Sequence, residues 1–426
     1  MKKEIKERIE AVRRGEVPEG FYKDYCLMPN SWKTVELKKI AQKVSKKNKD
    51  GEDIAVLSNS AVRGVVLQRE YFEKDIANDE NTDGYFVVEP RDYIYNPRIS
   101  VHAPFGPINR NNLGHKGIVS PLYTVFRPKD YKTIDQKYLE YFFLSTRWNR
   151  FVYTVSNQGV RFDRMNITDD DFFRMPIVIP PLVEQQKIAE ILAACDRLIE
   201  LKQQLLEEKR RQKQWLMQKL LDPNSSVKLP GFESGKWRKI VIGEECEMFS
   251  GGTPKAGKDE YYTGGTIPFI RSGEIAENKT ELFLTRDGYN SSSAKMVEVG
   301  DLLYAMYGAN SGECAISQIN GAINQAILCV RPKHIERKVL YYLLCAIKER
   351  IIATYLQGGQ GNLSAEIIKK LIVELPVDRE HQSRIVEILH MADQEIVCSE
   401  SELAEWQQKK KALMQLLLTG LVRVNA

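Results

Sequence analysis

One long segment of this chain is written twice: Gln185–Leu221 returns as Gln382–Leu418 at a constant offset of 197 residues, without a gap, and 15 of the 37 aligned pairs are identical. The identities include Ile188/Ile385, Glu190-Ile191-Leu192 against Glu387-Ile388-Leu389, Asp196/Asp393, Lys213/Lys410, and Leu216-Met217-Gln218 against Leu413-Met414-Gln415. Repeats of ~20–50 residues stack into solenoids or propellers, because one such unit cannot bury a core alone. A period of 197 residues holds a complete domain with its own core. The repeat therefore predicts an internal tandem duplication, and two like domains in one chain predict a target with two halves.

Within the repeat, apolar residues step by alternating threes and fours, the seam pattern of a coiled coil. The first stripe is Ile188, Leu192, Cys195, Ile199, Leu206, Leu216 and Leu220, interrupted where Lys202, Lys209 and Lys213 fall on the seam. The second is Ile385, Leu389, Ala392, Ile396, Leu403, Trp406, Leu413 and Leu417. Pro180-Pro181 stops the strand before the first helix, Asp222-Pro223-Asn224-Ser225-Ser226 ends it, and Pro376 precedes the second. A helix of ~37 residues is ~55 Å long at 1.5 Å per residue. That exceeds what one domain's core needs, so the two helices are expected to pair as an antiparallel coiled coil. The other reading is that each packs on its own domain.

The rest of the chain reads as two globular segments of mixed α/β (α+β) class. We expect an N-terminal helix and linker over 1–31, a first domain over 32–179 and a first spacer helix over 180–222. A linker over 223–236, a second domain over 237–375 and a second spacer helix over 376–426 complete the order. Clusters such as Tyr85-Phe86-Val87-Val88, Tyr93-Ile94-Tyr95 and Leu122-Tyr123-Thr124-Val125-Phe126 favour strands, and Gly/Asn/Pro runs such as Pro104–Gly117 favour loops. Weaker echoes link the segments in order: Trp32-Lys33 with Trp237-Arg238, Asp92-Tyr93-Ile94-Tyr95 with Asp301-Leu302-Leu303-Tyr304, and Arg127-Pro128-Lys129 with Arg331-Pro332-Lys333. The loops between them differ, as expected for two readers of different sequences.

Composition removes several classes. No apolar run approaches the ~18 residues of a membrane span, and a charged start follows Met1, so a cytoplasmic protein is expected. The seven cysteines are scattered without a C-x-x-C pair, which argues against a zinc site or a disulfide framework. A net charge of +5 permits nucleic-acid binding without demanding it.

Catalytic signatures are missing. Gly252-Thr253-Pro254-Lys255-Ala256-Gly257-Lys258-Asp259 matches G-x-x-x-x-G-K but places Asp259 where a magnesium-binding Ser or Thr belongs. His102 and His115 lie in a loop without an obvious carboxylate partner, and Asp169-Asp170-Asp171 reads as a turn or helix cap rather than a metal site. No metal ligands are assigned, and we expect no enzyme activity in this chain. The loops instead carry recognition chemistry. Arg and Lys read guanine O6/N7, and Asn and Gln read adenine N6/N7, each bidentately. The DNA-binding candidates in the first domain are Arg63, Asn96, Arg98, Arg110, Asn111, Lys116, Gln158 and Arg161. In the second they are Ser250, Thr253, Lys255, Arg271, Ser272, Tyr307, Asn310, Asn324, Gln325, Gln360 and Asn362.

Ser250-Gly251-Gly252-Thr253-Pro254, the run Tyr261…Ile267-Pro268-Phe269-Ile270-Arg271-Ser272-Gly273, Gly361-Asn362-Leu363-Ser364 and Pro180-Pro181-Leu182-Val183-Glu184-Gln185-Gln186 occur here as an ordered set. With them the chain resembles the specificity subunit of type I restriction–modification systems over nearly its whole length. Pro376-Val377-Asp378-Arg379-Glu380-His381-Gln382 departs from the pattern by lacking the second proline and carrying an extra residue. The resemblance implies two target-recognition domains, each contacting one part of a split, asymmetric double-stranded DNA sequence, with the helices as a spacer. It also implies two modification (methyltransferase) subunits that use S-adenosylmethionine and a restriction–translocase subunit that uses ATP and Mg, with no cofactor in this chain. Alternatives are a tandem protein-interaction scaffold, a methylation-only or type II-like system, and an enzyme with a divergent methyltransferase core.

Overall fold

The computed structural model describes residues 3–23, 27–49, 54–71, 82–129, 132–156, 163–225, 232, 236–255, 257–356 and 362–424. The chain divides into two compact units: unit 1 comprises Met1–Leu201 with Leu403–Ala426, and unit 2 is Lys202–Glu402.

Unit 1 is built on a four-stranded antiparallel sheet of β1 (Ala41–Lys43), β2 (Tyr93–Tyr95), β3 (Ile108–Arg110) and β4 (Thr124–Pro128), in the order β1-β4-β2-β3. Alternation splits its side chains between two cores. Tyr93, Tyr95 and Phe126 enter a large aromatic core with Phe142 and Phe172, and Ile94 and Val125 enter a smaller one with Leu57, Val65, Val88 and Val119. In the large core Tyr93 stacks on Phe126 at 5.3 Å and Tyr95 on Phe172 at 4.8 Å. The smaller core is closed by the hairpin of Leu57–Ser60 and Gly64–Leu67 and by the pair Phe86–Val88 with Gly117–Val119. The first strand expected from the Leu122–Phe126 cluster starts only at Thr124, because the Pro121 turn, in which the Tyr123 N–H donates to the Ser120 carbonyl at 3.0 Å, takes up its first two residues.

Unit 2 repeats this arrangement with β5 (Cys246–Ser250), β6 (Leu302–Ala305), β7 (Cys314–Ile316) and β8 (Ile327–Pro332), ordered β5-β8-β6-β7 and antiparallel throughout. Leu302, Tyr304, Leu328 and Val330 point into one core, and Leu303, Ala305, Ile327 and Cys329 into another. A second sheet runs Phe283–Leu284, Ile267–Ile270, Gly321–Ile323, Lys295–Val297, with its middle pair parallel. Each main sheet carries the same ion pair, a buried aspartate held by a partly exposed arginine. Arg127 Nε and Nη2 donate to Asp92 at 2.6 and 2.8 Å, and Arg331 Nε and Nη2 donate to Asp301 at 3.0 and 2.6 Å. Burial works against the charge on Asp301, yet Arg331 and the Glu298 N–H outweigh it and hold the carboxyl below its ordinary range.

The central helix, Leu182–Leu220, and the C-terminal helix, Arg379–Leu418, run 39 and 40 residues. Each entry is fixed by a buried glutamine. Gln185 Nε2 donates to the Pro180 carbonyl and Gln382 Nε2 to the Pro376 carbonyl, both at 2.8 Å. The missing second proline thus leaves the local anchor intact. The helices pack together, and their stripes also contribute to the cores of the two units. Toward the helix ends Ile188, Leu192 and Leu417 belong to the large core of unit 1, joined by partly buried Leu413, while Leu220, Ile385 and Leu389 belong to the core of unit 2, joined by partly buried Leu216. Leu206 is buried, and Ile199, Ile396 and Leu403 are half-buried. The seam lysines are partnered. In unit 2 Lys202 meets Glu402 at 2.7 Å, Lys209 meets Glu395 at 3.5 Å and Lys213 meets Asp393 at 2.5 Å, the partners descending as the lysines ascend, so the helices are antiparallel there. In unit 1 Lys410 pairs with Asp196.

Candidate nucleic-acid interface

The equivalent end of each main sheet gathers the loops. In unit 1 this is where β4 begins, β2 ends and β3 begins, with Thr124, Tyr95 and Ile108 in register. Buried Asn59 braces it: its Nδ2 donates to the Ile94 carbonyl at 2.7 Å and the Pro107 carbonyl at 3.0 Å, and its Oδ1 accepts from Asn109 at 2.7 Å. Asn96 adds a bond from Nδ2 to the Asn59 carbonyl at 3.2 Å. This amide network clamps the tip of the Leu57–Leu67 hairpin to the sheet end. Beside it opens a cleft of about 430 Å3 lined by Asn59, Val62, Asn96, Arg98, Tyr123 and Arg164 among others. Arg98 and Arg164 are held side by side by an isolated antiparallel bridge.

Of the residues nominated from sequence, Asn96 and Arg98 line this cleft, and exposed Arg63 follows Val62 at the hairpin turn. Lys116 is exposed but precedes Gly117–Val119, the strand whose far end leads to Ser120 in the cleft. Arg110 and Asn111 require correction as base readers. The first belongs to a strand rather than a loop, and its guanidinium is tied to Gln136 at 2.8 Å and Glu140 at 3.4 Å. Asn111 is 1% exposed and bonds to the Glu89 and His115 carbonyls. Arg110 ends the edge strand and Asn111 follows it, and these partners hold both side chains against the protein. Gln158 and Arg161 lie outside the described residues.

In unit 2 the same end is where β5 and β6 stop and β7 and β8 start, at Ser250, Ala305, Cys314 and Ile327. Here the nominated residues converge. Thr253 Oγ1 donates to Gln325 Oε1 at 2.7 Å, and the Gly251 N–H donates to the Asn324 carbonyl at 3.2 Å. A Cβ on Gly251 would lie 1.8 Å from the Ile323 carbonyl oxygen, so this close passage needs glycine. Parallel pairing of Ile270 with Ile323 brings Arg271 and Ser272 next to Asn324. Asn310 Nδ2 lies 3.3 Å from where a Cβ on Gly273 would stand, and Tyr307 bridges to Asn362. Lys255 is exposed on the same loop as Thr253. Gln360 lies outside the described residues.

Arg271 is held rather than idle. Its Nε and Nη2 donate to Glu274 at 3.1 and 2.8 Å, and Nη2 also to Glu281 at 2.6 Å. The Arg271 guanidinium holds the Glu274 carboxyl down to about 2, against the opposing effect of burial, with backbone N–H groups of Glu281 and Arg271 assisting. At the end of the G-x-x-x-x-G-K lookalike, Asp259–Tyr261 forms a single 3-10 turn and Lys258 pairs with Glu260 at 3.1 Å. Asp169-Asp170-Asp171 opens a short helix capped by Thr168, whose hydroxyl accepts from the Asp171 N–H. Among the described residues no group of three His, Cys, Asp or Glu could hold a metal ion, and no helix is long and apolar enough to cross a membrane.

The residues missed from sequence are Asn59, Val62, Ser120, Leu122, Tyr123 and Arg164 in the first cleft, and Glu274 in the second face. The polar triplet Ser58-Asn59-Ser60 before a Gly64 turn was the available signal for the hairpin clamp. Arg164 had none, being placed by a bridge across sequence.

Comparison with known proteins identifies the family. A family model described as "Type I restriction modification DNA specificity domain" matches residues 29–209 and 234–405. The putative type I restriction enzyme MjaX specificity subunit of Methanocaldococcus jannaschii is 25% identical over 324 residues, 71% of this chain and 71% of that one. The type I restriction enzyme MjaVIII specificity subunit of the same organism is 25% identical over 333 residues, 74% and 76% of the two chains. A solved chain from a study of complex assembly and conformational transition of the type I R-M system aligns with TM-score 0.61 at 17% identity, over 94% of this chain and 100% of that one. The type I S subunit from M. genitalium aligns with TM-score 0.52 at 16% identity, over 91% and 96%. At such identities the structural likeness concerns the fold.

Proposed function

Because this chain belongs to the type I restriction–modification DNA specificity family, we propose that it reads a bipartite, asymmetric double-stranded DNA target, one half-site per recognition domain. The domains are 32–179 and 237–375, flanked by segments 1–31 and 223–236 and by the spacer helices 180–222 and 376–426. The observation that carries this reading is the gathering of polar loops at the equivalent end of the same four-stranded sheet in both units. The frames agree in strand order, in the Asp–Arg pair and in the helix anchors, while the sequences around the loops differ, as in Asn109-Arg110-Asn111-Asn112 of unit 1 against Gly308-Ala309-Asn310-Ser311 of unit 2. Such a pair reads two different half-sites from one scaffold.

The helices act as an antiparallel coiled-coil spacer in a tandemly duplicated chain and carry two modification subunits, which methylate adenine with S-adenosylmethionine. A restriction–translocase subunit using ATP and Mg completes the complex. This chain is its non-catalytic, cytoplasmic specificity subunit, with no cofactor of its own. Inserting a few residues near Glu208 should change the gap between half-sites and leave both sequences alone; methylome sequencing that finds an unchanged gap sinks the spacer reading. Exchanging residues 237–370 for the corresponding domain of another family member should change one half-site only. Gel-shift competition between matched and scrambled duplexes, with partner subunits present, separates base reading from a scaffold that never touches bases.

A further inference from the structure

The unit 1 cleft is lined by cations, amides and hydroxyls. It offers guanidinium groups of Arg98 and Arg164, the His102 ring, the amides of Asn59 and Asn96 and several serine hydroxyls, and no carboxylate lines it. The nearest acid in sequence, Asp163, is ion-paired to Arg164 at 3.4 Å. The concavity of about 590 Å3 at the end of the central helix in unit 2 instead mixes Asp222 and Glu374 with Lys219 and Arg350. A lining of cations, amides and hydroxyls without acids is complementary to a polyanion that presents acceptors.

A second observation is independent of charge. Two apolar side chains stand exposed at this cleft, Val62 at 70% and Leu122 at 59% of full exposure. Single exposed apolar residues are ordinary. These two sit on separate turns of one cleft, and each turn is pinned: the Val62 N–H donates to Ser60 Oγ at 3.2 Å and the Leu122 N–H to Ser120 Oγ at 3.4 Å. The first turn is further clamped by Asn59. In the major groove the apolar group on offer is the C5-methyl of thymine.

We propose that unit 1 recognises thymine through Val62 and Leu122, with Arg98 and Arg164 of the same cleft supplying polar contacts to the duplex. This rests on the DNA-reading function given above and assigns its chemistry in one domain. Deoxyuridine tests it, because it removes the methyl group and leaves the base-pairing edge unchanged. Duplexes carrying the target defined by methylome sequencing are made with deoxyuridine in place of each thymine of the unit 1 half-site, and binding by the assembled complex is measured. At one or more positions affinity should fall about four-fold, the worth of burying one methyl group. Val62→Ala or Leu122→Ala should then bind the thymine and deoxyuridine duplexes equally; both residues are exposed, so folding is not at stake. Equal affinity of the parent complex for both duplexes overturns the proposal, and so does a methyl effect of full size in both variants. Should the parent complex fail to prefer matched over scrambled duplex, the DNA-reading function itself falls; insensitivity to deoxyuridine with that preference intact removes the thymine assignment alone.

Discussion

Glu274 organises the outer loop of unit 2 through both of its oxygens. It accepts from Arg271 at three donors, from Thr280 Oγ1 at 3.1 Å and from the Glu281 N–H at 3.1 Å. Its carboxyl is held at about 2, below the ordinary 4.5. A depressed carboxylate stabilises the fold fully above its unfolded value and loses that contribution as pH falls through the folded one. Glu274→Gln should therefore lower the thermal midpoint at neutral pH, with the gap to the parent narrowing as pH falls from 4.5 toward 2; a gap independent of pH contradicts the ionised network. At this scale the sequence was only partly legible. Arg271 and Asn111 look equally suitable as base readers in a string of letters. One lies on the gathered loops, and the other is sealed at 1% exposure by hydrogen bonds to Leu113 and His115 in its own turn and to the distant Glu89 carbonyl. Side-chain direction follows from strand pairing, which local composition does not encode.

At the scale of elements, the polar residues on the helix seam have become its register marks. Tyr342 Oη donates to Asp393 at 2.7 Å while Lys213 pairs with the same carboxylate; Tyr141 Oη donates to Asp196 at 2.6 Å while Lys410 pairs with it. Burial, then the adjacent Asp393, pushes the Tyr342 hydroxyl far above its ordinary value, so it remains a donor at all working pH. Lys213 and Asp393 retain 21% and 28% of their side-chain exposure, which places the pair between surface and buried regimes. Lys213→Met should cost about 1.5–3 kcal/mol, the range for hydrogen bonds to charged groups. Urea midpoints of the single and double variants with Asp393→Asn should show non-additivity, since the two share one contact. Periodicity had made the helices plain, and it had flagged these lysines as interruptions. Their role needed the partner helix, because a polar seam residue fixes register only through what it faces.

At the scale of the whole molecule, unit 2 is continuous, Lys202–Glu402, whereas unit 1 takes its last piece from Leu403–Ala426. That piece places Leu417 and Leu418 at 1% and 0% exposure in the unit 1 core. Buried Glu184 accepts from Arg423 at 2.7 and 2.9 Å and from Trp32 Nε1 at 2.9 Å. Deleting Leu403–Ala426 removes three buried leucines, Leu417, Leu418 and Leu421, at about 2–5 kcal/mol each, a sum comparable with the ~5–15 kcal/mol stability of a domain. Hydrogen exchange should then show lost protection in 32–179 and retained protection in 237–375; uniform loss would contradict the partition. The constant 197-residue offset disclosed two domains, but not that each helix is shared out between the units, because that depends on the antiparallel neighbour.

The Arg423–Glu184–Trp32 contact also sets a timetable. Domains generally close as units once their residues have been made. Unit 2 has all its residues when Glu402 is added, while unit 1, which holds the earliest part of the chain, still waits for Arg423. At roughly 5–20 residues per second the wait is about 1 to 4 s. Through that interval the surfaces of Trp32, Ile188 and Leu192 that the last helical turns will cover remain open. The half begun first is the half finished last, and its exposed core is what a chaperone would meet on the ribosome.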